Sequence, residues 1–335
     1  MAKVTVLTAV YNAERYLPQC LDSLKGQTLS DAQFICIDDC STDHSYEILK
    51  KYASVDSRFQ LLRTPVNSGQ AIARNLGLQF AQGEYVAMLD ADDWFAPDTL
   101  ELAYRALKKK NAPCAVLRLI LHYEEDGHEE PYVIRSAASE WSGEEAFRLS
   151  LDWSLHGLYV VETSLHKRFP FDTTCRLYSD DNTTRLHYLH SSRVVLSEGK
   201  YYYRKHAASM TNACTIRRFD HLKANLSMKR QMEALNLTDK SSLLDLYERY
   251  RWFNLLGLYR YYQQQQASFT SEECQEIESL FAQMLCTIER QRIPWKLKLK
   301  LGYYPYRSYQ TFRFWENIHY RMRKMLSIRP FFLSR

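Results

Sequence analysis

The spacing of apolar and polar residues predicts alternating strands and helices in roughly the first 120 residues. The strand-like runs are short and bounded by turn-forming residues, and the helical runs between them repeat apolar positions along one face. Strands separated by helices in this way predict βαβ units and a mainly parallel sheet. The predicted strands are Lys3–Ala9, Gln33–Asp38, Phe59–Arg63, Glu84–Asp90 and Cys114–His122.

The pattern changes beyond these strands. Ser142 and Glu145 have the spacing of a capping box at the start of a helix, and Leu158–Ser164 is a further candidate strand. The segment after residue 218 has helical periodicity. We therefore predict an α/β domain over residues 1–215, a helical region over residues 216–289 and a tail over residues 290–335.

Charge separates the tail from the rest of the chain. Residues 290–335 carry 12 Lys or Arg and one acidic residue, so the tail has a net charge of +11, while residues 1–289 carry −6 of the overall +5. The eight cysteines form no CxxC pair, the N-terminus resembles no signal peptide, and no apolar run reaches the roughly 18 residues that span a bilayer. We therefore expect a reduced, cytoplasmic compartment, with any membrane contact peripheral.

Three carboxylates follow the fourth predicted strand. Asp90, Asp92 and Asp93 repel one another unless a cation lies between them, and their hard oxygen ligands suit Mg²⁺ or Mn²⁺. The alternative for this cluster is a solvated turn before the next helix. Neighbouring strand ends carry Tyr11 and Asp39, which can stack on a nucleobase and accept its N–H. The alternatives are core packing for the tyrosine and helix capping for the aspartate.

The chain resembles the family 2 glycosyltransferases of the GT-A fold, of the type that makes bacterial surface polysaccharides. Four motifs in order carry the resemblance: TAVYNAERYLPQCLDSLKGQT, ICIDDCSTD, NSGQAIARNLGL and GEYVAMLDADDWFAPDTL. It implies a nucleotide-binding half over residues 1–110 and an acceptor half over residues 111–215. It further implies an inverting hexosyl- or N-acetylhexosaminyl-transferase, which uses Mn²⁺ or Mg²⁺. Such an enzyme moves a sugar from a nucleotide-diphospho-sugar, usually a UDP-sugar, to a hydroxyl of a glycan or lipid-linked acceptor.

The resemblance also implies roles for matching residues. Asp92 matches the metal ligand, Asp90 matches a position near the ribose, and Asp93 matches a residue that orients the loop. The positions that match the rest of the nucleotide pocket are Thr8, Ala9, Tyr11, Asp39 and Arg74. The downstream residues suited to the diphosphate or to metal coordination are Arg204, His206 and Ser209. A lone histidine is nevertheless more often structural than a ligand, so a structural role for His206 stays open.

Asp180 and Asp181 resemble the family's Glu-Asp pair, whose second member is the general base. The resemblance implies that Asp181 takes the proton of the attacking hydroxyl and that Asp180 supports it. The alternative is a loop or helix cap before a helix at Thr183–Leu189. The chain departs from the family in this Asp-Asp pair and in Gly157, where many relatives carry lysine. Both departures fall on the acceptor side.

The tail interleaves cations with aromatic residues, for example over Trp295–Leu301. This composition suits an anionic membrane surface, and nucleic acid binding and a solvated helical face are the alternatives. We expect the membrane and no nucleic acid. For the whole chain, the alternative to an enzyme is a non-catalytic nucleotide-sugar binding or assembly module of the same fold. A nucleotidyltransferase or kinase is disfavoured because the sequence has no GxxxxGK[ST] motif.

Overall fold

The computed structural model describes residues 2–206, 214–294 and 308–325. The chain divides into two compact units, Met1–Asn212 and Ala213–Arg335. In the first unit, ten strands form one sheet: β1 (Val4–Val10), β2 (Ala32–Asp38), β3 (Phe59–Arg63), β4 (Tyr85–Met88), β5 (Trp94–Phe95), β6 (Cys114–Tyr123), β7 (Glu129–Pro131), β8 (Glu140–Trp141), β9 (Tyr159–Glu162) and β10 (Val194–Lys205). Its helices are α1 (Leu17–Lys25), α2 (Ser45–Val55), α3 (Gln70–Gln79), α4 (Thr99–Lys110), α5 (Gly143–Ser150), α6 (Thr163–Arg168) and α7 (Ser179–Leu189).

The sheet has the strand order β3-β2-β1-β4-β9-β6-β10-β5, with β7 on β6 and β8 on β10. The long pairings β1–β2, β2–β3, β1–β4 and β6–β10 are parallel, whereas β9 runs antiparallel between β4 and β6. Residues of β1 alternate between two buried apolar clusters on the two faces of the sheet: Val4, Val6 and Val10 lie in one and Leu7 in the other. The sheet is therefore buried on both faces, as its continuous apolar strands predict.

The fourth strand is shorter than predicted. It ends at Met88, not at Asp90, because the backbone turns there and Asp93 N donates to the carbonyl oxygen of Asp90 (3.1 Å). This turn places the acidic residues in a loop at the carboxyl edge of the parallel strands, the edge where ligands bind in such sheets.

The second unit is helical. Its helices are α8 (Asp220–Ala234), α9 (Lys240–Gln265), α10 (Ser271–Thr287) and α11 (Tyr309–Met325), with short 3₁₀ turns at Ile216–Phe219, Gln266–Ser268 and Arg290–Arg292. Their apolar faces share one core that includes Trp252, Phe281 and Phe312. Within the described residues, every helix is too short or too polar to cross a bilayer.

Candidate active site

The acidic loop after β4 brings three carboxylates together. One oxygen atom from each of Asp90, Asp92 and Asp93 lies within 4.8 Å of the others, and this is the group of residues in the described ranges that could hold a metal ion. The three differ in exposure. The side chains of Asp90 and Asp92 are 31% and 35% exposed, whereas Asp93 is 1% exposed. Two of the three can therefore reach a ligand.

Asp90 is held by helix α3. Its Oδ1 accepts hydrogen bonds from Gln70 Nε2 (2.9 Å) and from the Arg74 guanidinium. Burial raises the pKa of Asp90, the charge of Arg74 opposes this, and the charges of Asp92 and Asp180 raise the pKa further. Arg74 thus contacts the acidic loop from α3, and its predicted place in the nucleotide pocket stays a prediction.

Asp93 turns away from solvent. Its Oδ2 accepts from the Tyr201 hydroxyl (2.7 Å) and its Oδ1 from Arg204 N (2.7 Å), so the residue ties the loop to β10. Burial raises the pKa of Asp93 well above its usual range, and the charges of Asp90 and Asp92 add to this. This geometry is that of a residue that orients the loop.

Asp92 is held through both its side chain and its backbone carbonyl oxygen. His206 Nε2 lies 3.0 Å from Asp92 Oδ2, and Arg204 Nε donates to the Asp92 carbonyl oxygen (2.8 Å). The structure therefore places His206 beside the predicted metal ligand. Its ring also packs against Tyr16, with 4.5 Å between the ring centroids.

Arg204 is enclosed at the base of this loop. Its guanidinium lies between the rings of Tyr16 and Trp94, 4.9 and 4.7 Å from their centroids, and donates to Gln19 Oε1 (2.6 Å). The residue is 7% exposed. Arg204 thus positions Asp92, and its contact with a diphosphate stays a prediction. Ser209, the other predicted diphosphate contact, lies outside the described residues.

The residues of the predicted nucleobase pocket lie at the ends of β1 and β2. Tyr11 is 47% exposed directly after β1, so its ring is accessible for stacking. The chain then turns at Asn12, which has a φ of 49°, and Asn12 Oδ1 accepts from Thr42 N (2.8 Å) in the loop after β2. Ala9 is partly buried, whereas Thr8 is fully buried, and its hydroxyl has no hydrogen-bond partner in the described part of the chain.

Asp39 holds the loop before α3 in place, a role that the sequence did not reveal. Its carboxylate accepts from Thr64 Oγ1 (2.7 Å), Ser68 N (3.0 Å) and Gly69 N (2.7 Å), and it is 2% exposed. Gly69 precedes α3 with a φ of 94°, a conformation that favours glycine. Asp39 thus orients the loop that starts α3. A carboxylate has about four lone-pair sites, so one remains for a base N–H, and that contact stays a prediction.

Asp180 and Asp181 lie in the first turn of α7. Burial raises the pKa of Asp181 to about 7, the charge of Arg185 opposes this, and the charge of Asp180 adds to it. A carboxyl group that titrates near neutral pH can exchange a proton with a substrate hydroxyl. Helix α7 also explains Gly157, because a Cβ at this position would lie 2.9 Å from Thr184 Oγ1. A longer side chain at this position would therefore require Thr184 to shift.

Several residues that support the site were not predicted. Their polar or aromatic groups resemble ordinary helix and strand residues in the sequence, and only Trp94, directly after the acidic cluster, offered a local signal. Each contacts one of the site residues described above and helps to hold it in place. They are Tyr16, Gln19, Thr64, Gln70, Trp94 and Tyr201.

The chain is similar to known glycosyltransferases in sequence and in fold. Residues 5–167 match the model of the glycosyl transferase family 2. A curated relative, glycosyltransferase GlyG of Streptococcus pneumoniae, is 28% identical over 217 residues, which are 62% of this chain and 72% of that protein. Two further curated relatives are the putative glycosyltransferase EpsH of Bacillus subtilis and glycosyltransferase GlyA of Streptococcus pneumoniae. The chain matches only 29% and 18% of their respective lengths.

Two solved structures share the fold. One is residues 1–349 of S. aureus TarS in complex with UDP-GlcNAc, with a TM-score of 0.73, 19% identity, and coverage of 96% of this chain and 92% of that one. The other is mannosyltransferase PcManGT of Pyrobaculum calidifontis in complex with GDP-Man and Mn²⁺, with a TM-score of 0.58, 19% identity, and coverage of 98% and 88%. The predicted GT-A fold with a helical C-terminal region is confirmed, and residues 5–167 of this chain are similar to glycosyltransferase family 2.

Proposed function

We propose that this chain transfers a sugar, with inversion, from a UDP-sugar to a hydroxyl of a glycan or lipid-linked acceptor in surface-polysaccharide synthesis. One observation carries the proposal: Asp90, Asp92 and Asp93 bring their carboxylate oxygens within 4.8 Å of one another at the carboxyl edge of the parallel strands, and the side chain of Asp92 is 35% exposed there. This edge is where ligands bind in such sheets. UDP is favoured because the family resemblance includes Tyr11 and Asp39, which suit a uracil base.

The residues fit a divalent cation, Mn²⁺ or Mg²⁺. Crowded carboxylates within 4.8 Å of one another repel, and a cation relieves that repulsion. Asp92 is the proposed ligand because it is exposed, with His206 beside it and Asp90 toward the ribose. A cation held there neutralises the negative charge that develops on the leaving diphosphate.

We assign the general base to Asp181, with Asp180 in support. Asp181 accepts the proton of the acceptor hydroxyl as that oxygen bonds to the anomeric carbon. The bond from the anomeric carbon to the diphosphate oxygen breaks on the opposite face, and its electron pair leaves with the nucleoside diphosphate. The pKa of Asp181, raised to about 7 chiefly by burial, supports this role because a base is most effective near the working pH.

A panel of nucleotide sugars tests this function. We expect one UDP-sugar to be hydrolysed slowly with Mn²⁺ and to stabilise the protein against heat. Asp92→Asn should lower the hydrolysis by about 10²–10³-fold because it removes charge from the metal site. Asp126→Asn, in an exposed turn, is the matched control. The proposal fails when no nucleoside diphosphate stabilises the protein, with or without metal.

Substitution of the proposed base distinguishes an enzyme from a non-catalytic binding module of the same fold. A binding module is stabilised by the nucleotide sugar but is insensitive to loss of the base. We expect Asp181→Asn to lower sugar transfer by about 10²–10⁴-fold while it preserves stabilisation by UDP. Unchanged function in Asp181→Asn would favour the binding module instead.

We further propose that helix α11 attaches the protein to the inner, cytoplasmic face of an anionic membrane. Phe312 is fully buried in the helical unit, but Phe314, Trp315, Met322 and Met325 are 59%, 49%, 54% and 84% exposed. These four recur on one side of the helix at helical spacing. The net charge of +11 over residues 290–335 complements anionic lipid headgroups. The Trp295–Leu301 segment lies outside the described residues.

Vesicle binding tests the attachment. Deleting residues 290–335 would remove Phe312 from the core, so substitutions on the exposed side are preferable. With vesicles of roughly one-third phosphatidylglycerol, we expect salt-sensitive binding that falls about ten-fold in the double variant Phe314→Ser/Met325→Ser. Gln310→Ser on the same helix is the control. Equal partitioning of the variant and the wild type would rule out this attachment, and competition by RNA alone would indicate nucleic acid binding.

A further inference from the structure

Asn75 belongs to the motif NSGQAIARNLGL, but it is not one of the site residues described above. It follows Arg74 on α3, and its side-chain amide forms two hydrogen bonds with the backbone of one distant residue. Nδ2 donates to the carbonyl oxygen of Phe171 (3.0 Å), and Oδ1 accepts from Phe171 N (2.9 Å). The segment after α6 is therefore fixed to α3 at Phe171 through both backbone polar groups of that residue.

The Phe171 side chain also contacts the residue that holds the acidic loop. Its ring centroid lies 5.3 Å from the guanidinium of Arg74, and both residues are 3% exposed. The same guanidinium pairs with the carboxylate of Asp90. Phe171 thus packs against the cation that holds Asp90, while its backbone is bound by the neighbouring residue of α3.

The next residue along the chain, Asp172, contacts the first turn of α7. Asp172 N donates to Thr183 Oγ1 (3.0 Å), and Asp172 Oδ2 accepts from Asn182 Nδ2 (3.2 Å). Asn182 and Thr183 are both 1% exposed, and they directly follow Asp181, the proposed base. Two consecutive residues therefore connect α3, which holds Asp90, to the turn of α7 that carries Asp181.

This connection bears on the proposed reaction. Asp181 would take a proton from the acceptor hydroxyl while that oxygen attacks the sugar, so the base and the donor must be held in a fixed arrangement. A misplacement of about 1 Å in such an arrangement can lower the rate by about 10²-fold. The link is made of hydrogen bonds, which weaken when their angle changes, so it constrains direction as well as distance.

We propose that Asn75 is a positioning residue for sugar transfer. Through the Phe171–Asp172 backbone, it holds Asp181 in place relative to the acidic loop. The proposal rests on the proposed function, because it takes Asp181 as the base of that reaction. Asn75 itself makes no contact with the substrate in this role, so loss of its amide affects the chemical step and leaves donor binding intact.

Steady-state kinetics of Asn75→Ala test this role. We expect kcat for sugar transfer to fall about 10–10²-fold, while the KM of the UDP-sugar changes by less than about two-fold. Gln33→Ala is the matched control, because the Gln33 amide also donates to a backbone carbonyl, that of Phe80 (3.2 Å), and accepts from a backbone N–H, that of Gln82 (3.0 Å). Gln33 lies at the amino end of β2, away from the acidic loop, so Gln33→Ala should keep the kcat of the wild type.

Thr183 offers a second pair of variants at the other end of the link. Thr183→Val removes the oxygen that accepts from Asp172 N but keeps the shape of the side chain, so it should lower kcat as Asn75→Ala does. Thr183→Ser keeps that oxygen and should retain most of the activity. Equal kcat values in the two Thr183 variants would overturn the proposal. A higher donor KM with unchanged kcat in Asn75→Ala would also overturn it, because the effect would then lie in donor binding.

Amide hydrogen exchange distinguishes failure of this proposal from failure of the proposed function, because it requires no turnover. We expect exchange at Phe171 N and in α7 to be at least about ten-fold faster in Asn75→Ala than in Gln33→Ala. Sugar transfer by the wild type, with unchanged exchange or unchanged kcat in Asn75→Ala, removes the positioning role alone. Faster exchange in α7 without transfer of any sugar by the wild type contradicts the proposed function, while it supports the link between α3 and α7.

Discussion

Asp92 and Asp93 are neighbours in the chain, but the fold exposes one carboxylate and buries the other. The buried one is satisfied by the Tyr201 hydroxyl and by the backbone of Arg204, and this pairing fixes the loop that presents Asp92. At the residue scale, the acidic loop thus depends on supporting side chains that hold it in place. Among them, Tyr201 contacts the buried Asp93 directly.

Tyr201→Phe should destabilise the protein and loosen the loop together. The hydroxyl donates to Asp93 and accepts from Asp90 N (3.2 Å), so its loss leaves buried polar groups without a partner at a cost of about 1–3 kcal/mol. Urea unfolding measures that cost, and the Mn²⁺ dependence of donor hydrolysis measures the loosening. Tyr202→Phe on the same strand is the control. Equal stability of the two variants would contradict the proposed link between β10 and the loop.

Asp181 predicts the pH dependence of the reaction. A base acts in its deprotonated form, so with a pKa of about 7 the rate should rise with pH below 7 and level off above it. Asp181→Asn should lower the rate by about 10²–10⁴-fold and remove this rise. A flat profile in the wild type would argue against Asp181 as the base.

The Asp181 carboxylate also affects the stability of the fold. The deprotonated form, which acts as the base, is the form that the fold disfavours. Its pKa in the fold is raised above the unfolded value of about 3.9, so the fold favours the protonated form. The stability from this group is present below pH 4 and is lost as the pH rises to 7. We therefore expect Asp181→Asn to melt roughly 2–4 °C above the wild type at pH 8. Thermal melts at pH 4 and pH 8 check this, and a deficit at pH 8 would contradict it.

At the scale of elements, α7 is placed by its contacts with the segment before β9. Gly157 packs directly on Thr184, and the Tyr159 hydroxyl hydrogen-bonds His187 (2.7 Å), so the helix that carries both acceptor-side carboxylates has little freedom to shift. Any side chain at position 157 would press on Thr184, so the two positions are coupled in this chain.

Gly157→Ala should displace α7 and lower transfer, because the new Cβ would meet Thr184 Oγ1 at 2.9 Å and Cγ2 at 3.1 Å. Adding Thr184→Ala removes both atoms and should restore most of the activity. Gly257→Ala, on α9 with open space around it, is the control and should stabilise its helix by about 1 kcal/mol. Activity is measured as sugar transfer at saturating donor. A double variant no better than Gly157→Ala would show that α7 is not displaced by this contact.

At the scale of the whole molecule, the chain is two compact units with separate cores. The basic tail is not a simple appendage of the helical unit. Its helix α11 inserts Phe312 beside Trp252 and Tyr259, with ring centroids 6.1 and 4.9 Å away. One side of α11 therefore belongs to the core while the other is exposed. The predicted boundary at residue 290 marks the start of the strongly basic segment, although part of that segment packs in the helical core.

Phe312→Ala should destabilise the helical unit by about 3–5 kcal/mol, because it removes a fully buried ring. Phe314→Ala, two residues on and 59% exposed, should change stability by less than about 0.5 kcal/mol. Chemical unfolding followed by tryptophan fluorescence compares the two, since Trp252 contacts the substituted ring. Similar losses in both variants would contradict the assignment of the two sides of α11.

Local patterns in the sequence determined the strands, the helices, the parallel sheet and the carboxyl-edge position of Tyr11, Asp39 and the acidic loop, because residue spacing directly sets which side chains share a face. The family motifs added the predicted roles of Asp92 as metal ligand and of Asp181 as general base. Only the tertiary structure decided which carboxylate is buried, which histidine lies beside Asp92, and how Arg204 is enclosed. Those outcomes depend on contacts between residues about 110 or more positions apart, such as Asp93 with Tyr201, which no local pattern encodes.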